Sequence, residues 1–247
     1  MVAEDEKLHR AEADFRFYRQ NCGREGIGRL SEKSLHGILK FYLDADPTHH
    51  EVALPEGTVA DIFDGNTVTE IQTASYPALA KKLPRILPHY PVHVYCPILR
   101  NRYLYTLDPE SGNVGGGRKS PVHGNRTTSL VALSVLDRFL QDPHFTLTFL
   151  LVDTAEYRTP PTRAKRRGTK LDRVPIQIAD VWTVTSREEY LSLIPTGLPE
   201  VFTAKDFYKK AHLRGRNASI ALKLLRDCKT VVQVGKEGNA YLYQVNL

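Results

Sequence analysis

Cysteine, methionine and tryptophan are scarce in this 247-residue chain, with three, one and one copies. Cys22, Cys96 and Cys228 are odd in number and widely spaced, and no CxxC pair occurs. That pattern argues against a disulfide framework or a zinc knuckle and fits a reducing cytoplasm. Long apolar runs are missing too. FTLTFLLV, from Phe145, is far too short to span a bilayer, so no membrane partner is expected. The first twenty residues carry acids where a secretory signal needs a basic and then apolar start, which again points to the cytoplasm. No repeat of fixed period appears. What is present, 41% hydrophobic residues, suffices for one sizeable core and a small second domain.

The net charge of +6 is unevenly spread. Residues 158–173, RTPPTRAKRRGTKLDR, hold seven Lys/Arg and one acid, and residues 201–247 hold nine and three. Each segment alone carries +6, so the rest of the chain is acidic by the same amount. Local basic charge of this kind suits a phosphate-binding surface, with Arg166 and Arg167 in the first segment as candidates. GNVGGGRKS, residues 112–120, has the glycines of a phosphate loop, but Arg118 precedes Lys119 and no helix opens after it. The expected structure for 109–126 is a long loop whose Arg118, Lys119 and Arg126 touch a nucleic-acid backbone.

Apolar spacing predicts a charged helix over 3–20 with Leu8, Phe15 and Tyr18 inward. A second, amphipathic helix in SEKSLHGILKFYL has Ser31 as N-cap. Glu32, His36 and Lys40 share a separate face of it, one turn apart. Strands follow at EVAL (51–54), TVADIF (58–63) and TVTEIQT (67–73), then a helix opened by Ser75 and Pro77. PVHVYCPIL and RYLYTLD read as two strands separated by a short turn. Later come a helix in TTSLVALSVLDRFLQ, a central strand at 145–153, a strand in VPIQIADVWTV and a short helix from Ser186. Trp182 is expected in the core. PTGLP, 195–199, reads as a linker between a domain of 1–194 and a smaller one of 200–247.

The hairpin TVADIFDGNTVTEIQTAS carries an acid in each arm. A two-residue turn at Gly65-Asn66 places Asp61 directly opposite Glu70, with Gln72 on the same face. A turn at Asp64-Gly65 makes the pair diagonal. Two adjacent carboxylates repel, and a cation between them is the natural reason to keep both ionised; oxygen ligands suit magnesium or manganese.

This order of helix, strand, acidic strand, acid-x-Gln strand, helix and strand, over about residues 30–100, resembles the core of the PD-(D/E)XK, or restriction-endonuclease-like, nuclease superfamily. The resemblance implies an α/β fold, a mixed sheet flanked by helices. It makes Asp61 and Glu70 the ligands of Mg2+ or Mn2+ and gives Gln72 the third catalytic place. Gln72 stands where the family most often has Lys and cannot itself carry a positive charge. Lys81 or Lys82, on the following helix, is a candidate to reach in. Glu32 is the preferred further acid, with Glu51 as its rival and His36 one turn from Glu32.

Residues 201–247 read as helix, turn, helix and two strands around GKEGN, and resemble a winged helix-turn-helix. That resemblance makes Arg214, Arg216, Asn217, Lys223 and Lys236 the expected contacts to bases or phosphates. The combined expectation is a magnesium-dependent DNA endonuclease, with RNA and a homodimer left open. The alternative, from another class, is a DNA-binding regulator whose nuclease-like domain is inactive.

Overall fold

The first helix, Val2–Asn21 (α1), lays Leu8, Ala11 and Phe15 on the second, Ser34–Leu43 (α2). They meet at Gly37, where an added Cβ would lie 2.1 Å from Phe15 Cε2, so only glycine lets the Phe15 ring settle there. The computed structural model describes residues 2–21, 33–163, 165–166 and 168–246. Ser31, Glu32, Cys22 and Arg167 lie outside them.

Behind the helices runs a mixed sheet. Its strands are His50–Leu54 (β1), Thr58–Phe63 (β2), Val68–Ile71 (β3), Val92–Leu107 (β4), Val114–Lys119 (β5), Phe145–Arg158 (β6) and Lys170–Val184 (β7). The order is β1-β2-β3-β4-β6-β7, with β5 on the far half of β4. β1, β2 and β3 are antiparallel neighbours, β4 runs parallel to both β3 and β6, and β7 returns antiparallel. Tyr76–Ile86 (α3) links β3 to β4, and Ser129–Leu136 (α4) precedes β6. Two apolar clusters result, one joining α1 and α2 to Ile62, Ile71 and Val152, the other joining α3 and α4 to Val68, Val94 and Phe149. The fold is therefore α/β, a large mixed sheet flanked by helices.

Two expectations fail for identifiable reasons. The segments 91–99 and 102–108 are not separate strands: β4 passes through both, with a register shift between Leu99 and Arg102. Asp153 of β6 makes this possible. Its carboxylate accepts the Asn101 amide at 3.0 Å and both Arg100 guanidinium bonds at 2.8 Å, replacing the ladder where the bulge breaks it. The loop at 109–126 contains β5, whose Gly117 admits the Tyr105 ring 2.6 Å from where a Cβ would stand. Trp182 is buried, as expected.

The C-terminal residues form Val201–Thr203 (β8), Ala204–Ala211 (α5), Gly215–Asp227 (α6), Val231–Glu237 (β9) and Ala240–Val245 (β10), with a sheet ordered β8-β10-β9. α6 packs on α4, and Phe202, Phe207, Leu222, Leu225 and Tyr243 belong to the same apolar cluster as Leu130 and Leu133.

His93, at the start of β4, stacks on Tyr95 at 4.0 Å and shares a 2.8 Å hydrogen bond with Thr148. Burial pushes its pKa down to about 4. The folded state thus resists protonating His93 while the unfolded chain takes a proton near 6.5, so stability should fall as pH drops from about 6.5 toward 4. His93→Gln should shrink the difference in urea midpoint between pH 7.5 and pH 5. An unchanged difference would show that His93 is not the group responsible.

Candidate functional site

The turn of the acidic hairpin is built by Asp64, whose Oδ1 accepts the amides of Asn66 at 2.9 Å and Thr67 at 2.7 Å. It sets Ile62 against Thr69 and Phe63 against Val68. The next step of that register brings Asp61 level with Glu70, the arrangement expected for a Gly65-Asn66 turn. The ladder stops before that step. Asp61 Oδ2 instead accepts the Ile71 amide at 2.7 Å, so a side chain stands in for a strand hydrogen bond and the two strands part there.

On the other side of β2, His50 faces Ile62 and Val52 faces Ala60, which brings Glu51 level with Asp61. Glu51 holds a left-handed backbone, φ 55, a conformation that costs energy for a residue with a Cβ. Glu51, Asp61 and Glu70 thus sit on the neighbouring strands β1, β2 and β3. α2 and α3 bring the countercharges. His36 Nε2 lies 3.1 Å from Asp61 Oδ2, Lys40 Nζ 2.5 Å from Glu51 Oε1, and Lys82 Nζ 2.6 Å from Glu70 Oε1. Lys82 also donates to the Val59 carbonyl, so it spans the gap between β2 and β3.

The neighbours set different protonation states for the two central acids. Burial works against the Asp61 carboxylate, but the His36 hydrogen bond and charge, with the Ile71 amide, hold its pKa below the ordinary aspartate value. Burial and the adjacent Asp61 charge push Glu70 up to about 7, with Lys82 opposing. A base near neutrality therefore stands beside a fixed anion.

One ligand atom each from His36, Glu51 and Asp61 lies within 4.8 Å of the others, a spacing that one divalent ion can bridge. The set mixes an imidazole nitrogen with two carboxylate oxygens, which suits a first-row transition ion better than magnesium, whose ligands are oxygens. His36 and Glu51 thereby enter the site as Asp61's companions, while Glu70 is held by Lys82. Gln72 follows the end of β3. Its amide bonds the Tyr95 carbonyl at 2.8 Å, and its half-buried side chain makes no hydrogen bond among the described residues. Sequence reasoning gave Lys40 no role, although its spacing from His36 placed it on the same helix face.

The basic segments divide. Arg118 and Arg166 line a pocket of about 300 Å³ with Arg158, and Lys119 is exposed beside it on β5. Arg158 and Arg173, part of the +6 run, are spent on the buried Glu156, at 2.7 and 2.5 Å. Arg126 is also engaged, bonded to Asp180 at 2.7 Å and lying over the Trp182 ring. In the C-terminal unit Arg214, Arg216, Asn217, Lys223 and Lys236 are exposed. Lys223 pairs with Asp227, and Lys236 lies 5.8 Å from the centre of the Tyr241 ring.

Fold and site together define a mixed α/β protein with a cation-compatible His/Glu/Asp cluster on its sheet. The chain belongs to the family described as a domain of unknown function (DUF8091), whose model matches residues 33–185, more than half of its length, from the start of α2 to the end of β7. No curated protein and no solved structure matches it. Among the described residues, no helix is long and apolar enough to cross a membrane.

Proposed function

We propose that this protein is a metal-dependent phosphodiesterase acting on DNA, built on a restriction-endonuclease-like core with a winged helix-turn-helix at its C-terminus. The observation that carries the reading is the convergence of His36, Glu51 and Asp61 beside Glu70 and Lys82. The succession α2-β1-β2-β3-α3-β4, with β1 to β3 antiparallel and β4 parallel to β3, supports it. In this reading His36, Glu51 and Asp61 hold Mn2+ or Mg2+, which when bound polarises a phosphate and lowers the pKa of a water. Asp61 stays ionised at neutral pH. Glu70, poised near 7, accepts a proton from the attacking water, and Lys82 takes the place of the lysine that Gln72 lacks, keeping Glu70 partly ionised.

The direct test is cleavage of plasmid, branched and single-stranded DNA, and of an RNA strand, with Mn2+ or Mg2+ against EDTA. The expected result is cleavage at least as fast with Mn2+ as with Mg2+. DNA binding without cleavage of any substrate would favour the second reading, a DNA-binding regulator, which the replacement of the motif lysine by Gln72 supports. Lys82→Met should lower the cleavage rate about 10²-fold. It should also move the pH profile upward, because Lys82 is what holds the Glu70 pKa down. A lower rate with an unmoved profile would remove Glu70 from the base role.

A further inference from the structure

Beyond the carboxyl end of β3, where α3 begins, the C-terminal unit closes over the sheet and leaves a cavity of about 730 Å³, within the size range of small-ligand sites. Its walls come from both parts of the chain, Tyr76, Ile98 and Val122 on one side and Tyr208, Leu213 and Asn217 on the other. Arg102, Lys209 and Arg214 bring three permanent positive charges, and no lining residue is an aspartate or glutamate. Arg214 stands at the N-cap of α6 and makes no ion pair among the described residues. The His123 and His212 rings meet edge to face across the junction, centroids 6.4 Å apart. Asn125 fixes the two parts together through a 3.2 Å bond to the Ala211 carbonyl.

The floor is apolar, since Ile98 and Leu213 are buried, while Lys209 and Arg214 are exposed and Arg102 is half-buried. Arg102 already bonds Ser120 at 3.1 Å and lies 4.0 Å from Glu156, so an apolar ligand would leave Lys209 and Arg214 without partners, and a simple inorganic anion would leave the floor unused. An aromatic ring bearing a phosphate satisfies both. We propose that this cavity binds a nucleotide, its base against Tyr208 and the histidine pair and its phosphate at Arg102, Lys209 and Arg214. The nucleotide is either free or an unpaired unit of a nucleic-acid strand. The proposal is independent of the metal chemistry, and its test omits metal altogether.

The full chain in EDTA is titrated with adenosine monophosphate by calorimetry and with a labelled single-stranded 12-mer by anisotropy. Three variants accompany it. Arg214→Glu reverses a rim charge at a helix start, where an acid is tolerated. Val122→Trp fills the cavity from a residue 49% exposed, without changing charge. Arg10→Glu repeats the charge reversal on α1, at a side chain 83% exposed. The expected result is at least tenfold weaker binding with Arg214→Glu and with Val122→Trp and less than twofold change with Arg10→Glu. Loss for both probes identifies a free nucleotide as sufficient, and loss for the 12-mer alone identifies a nucleotide within a strand. Binding of neither probe by the wild-type chain overturns the proposal. So does an effect of Arg214→Glu without one of Val122→Trp, which would mark general surface electrostatics.

Discussion

Asp61→Asn is expected to reduce metal-dependent cleavage about 10³-fold or more while leaving DNA affinity in EDTA within about twofold. Asp61 belongs to the cluster with Glu51 and His36, its charge acts on Glu70, and it takes the Ile71 amide. Asparagine keeps the acceptor that Ile71 needs, so strand geometry should survive. What disappears is the negative charge that His36 and the metal both require. Glu70→Gln should also slow cleavage, because it removes the group that takes the proton from water while leaving the His36, Glu51 and Asp61 cluster intact. Single-turnover rates at saturating DNA give the comparison. An asparagine variant within tenfold of wild type would remove Asp61 from the catalytic centre.

Truncation after Pro199 is expected to prevent stable folding altogether. Viewed in sequence, PTGLP suggests that the tail can be removed and the rest left intact. Phe202, Phe207, Leu222, Leu225 and Tyr243 share one apolar cluster with α3, α4 and the sheet, and their loss would expose the α4 surface on which α6 packs. Each fully buried side chain of this size is worth about 1.5–3 kcal/mol, so losing several exceeds the usual stability of a domain. Circular dichroism and gel filtration of residues 1–199 provide the check. A soluble fragment melting cooperatively within a few degrees of the full chain would instead make the tail an autonomous module.

The two basic segments illustrate how far composition reaches. Both carry the charge read from the sequence, yet Arg158 and Arg173 of the first neutralise a buried glutamate. Counting charges along the chain could not reveal that both meet on one carboxylate, because it is the pairing of β6 with β7 that brings Arg173 opposite Glu156. Arg214 and Asn217, read as groove contacts, line the cavity against the sheet, since α6 is placed by its packing on α4.

The parts legible in the sequence were those governed by a few consecutive residues. The apolar stripe of α2, the alternation of β2 and the Asp64 turn each follow from hydrogen bonding and periodicity within one segment. They were enough to set Ile62 against Thr69 and Phe63 against Val68 across the hairpin. The company Asp61 keeps was decided elsewhere. His36 arrives because the apolar face of α2 packs on Ile62, Ile71 and Val152 of the sheet, Lys82 because α3 crosses back between two parallel strands, and Glu51 through a left-handed turn of β1. The continuity of β4 likewise depends on Asp153, about fifty positions away in β6. Contacts between segments so far apart depend on how whole surfaces pack, and local sequence patterns do not carry that information.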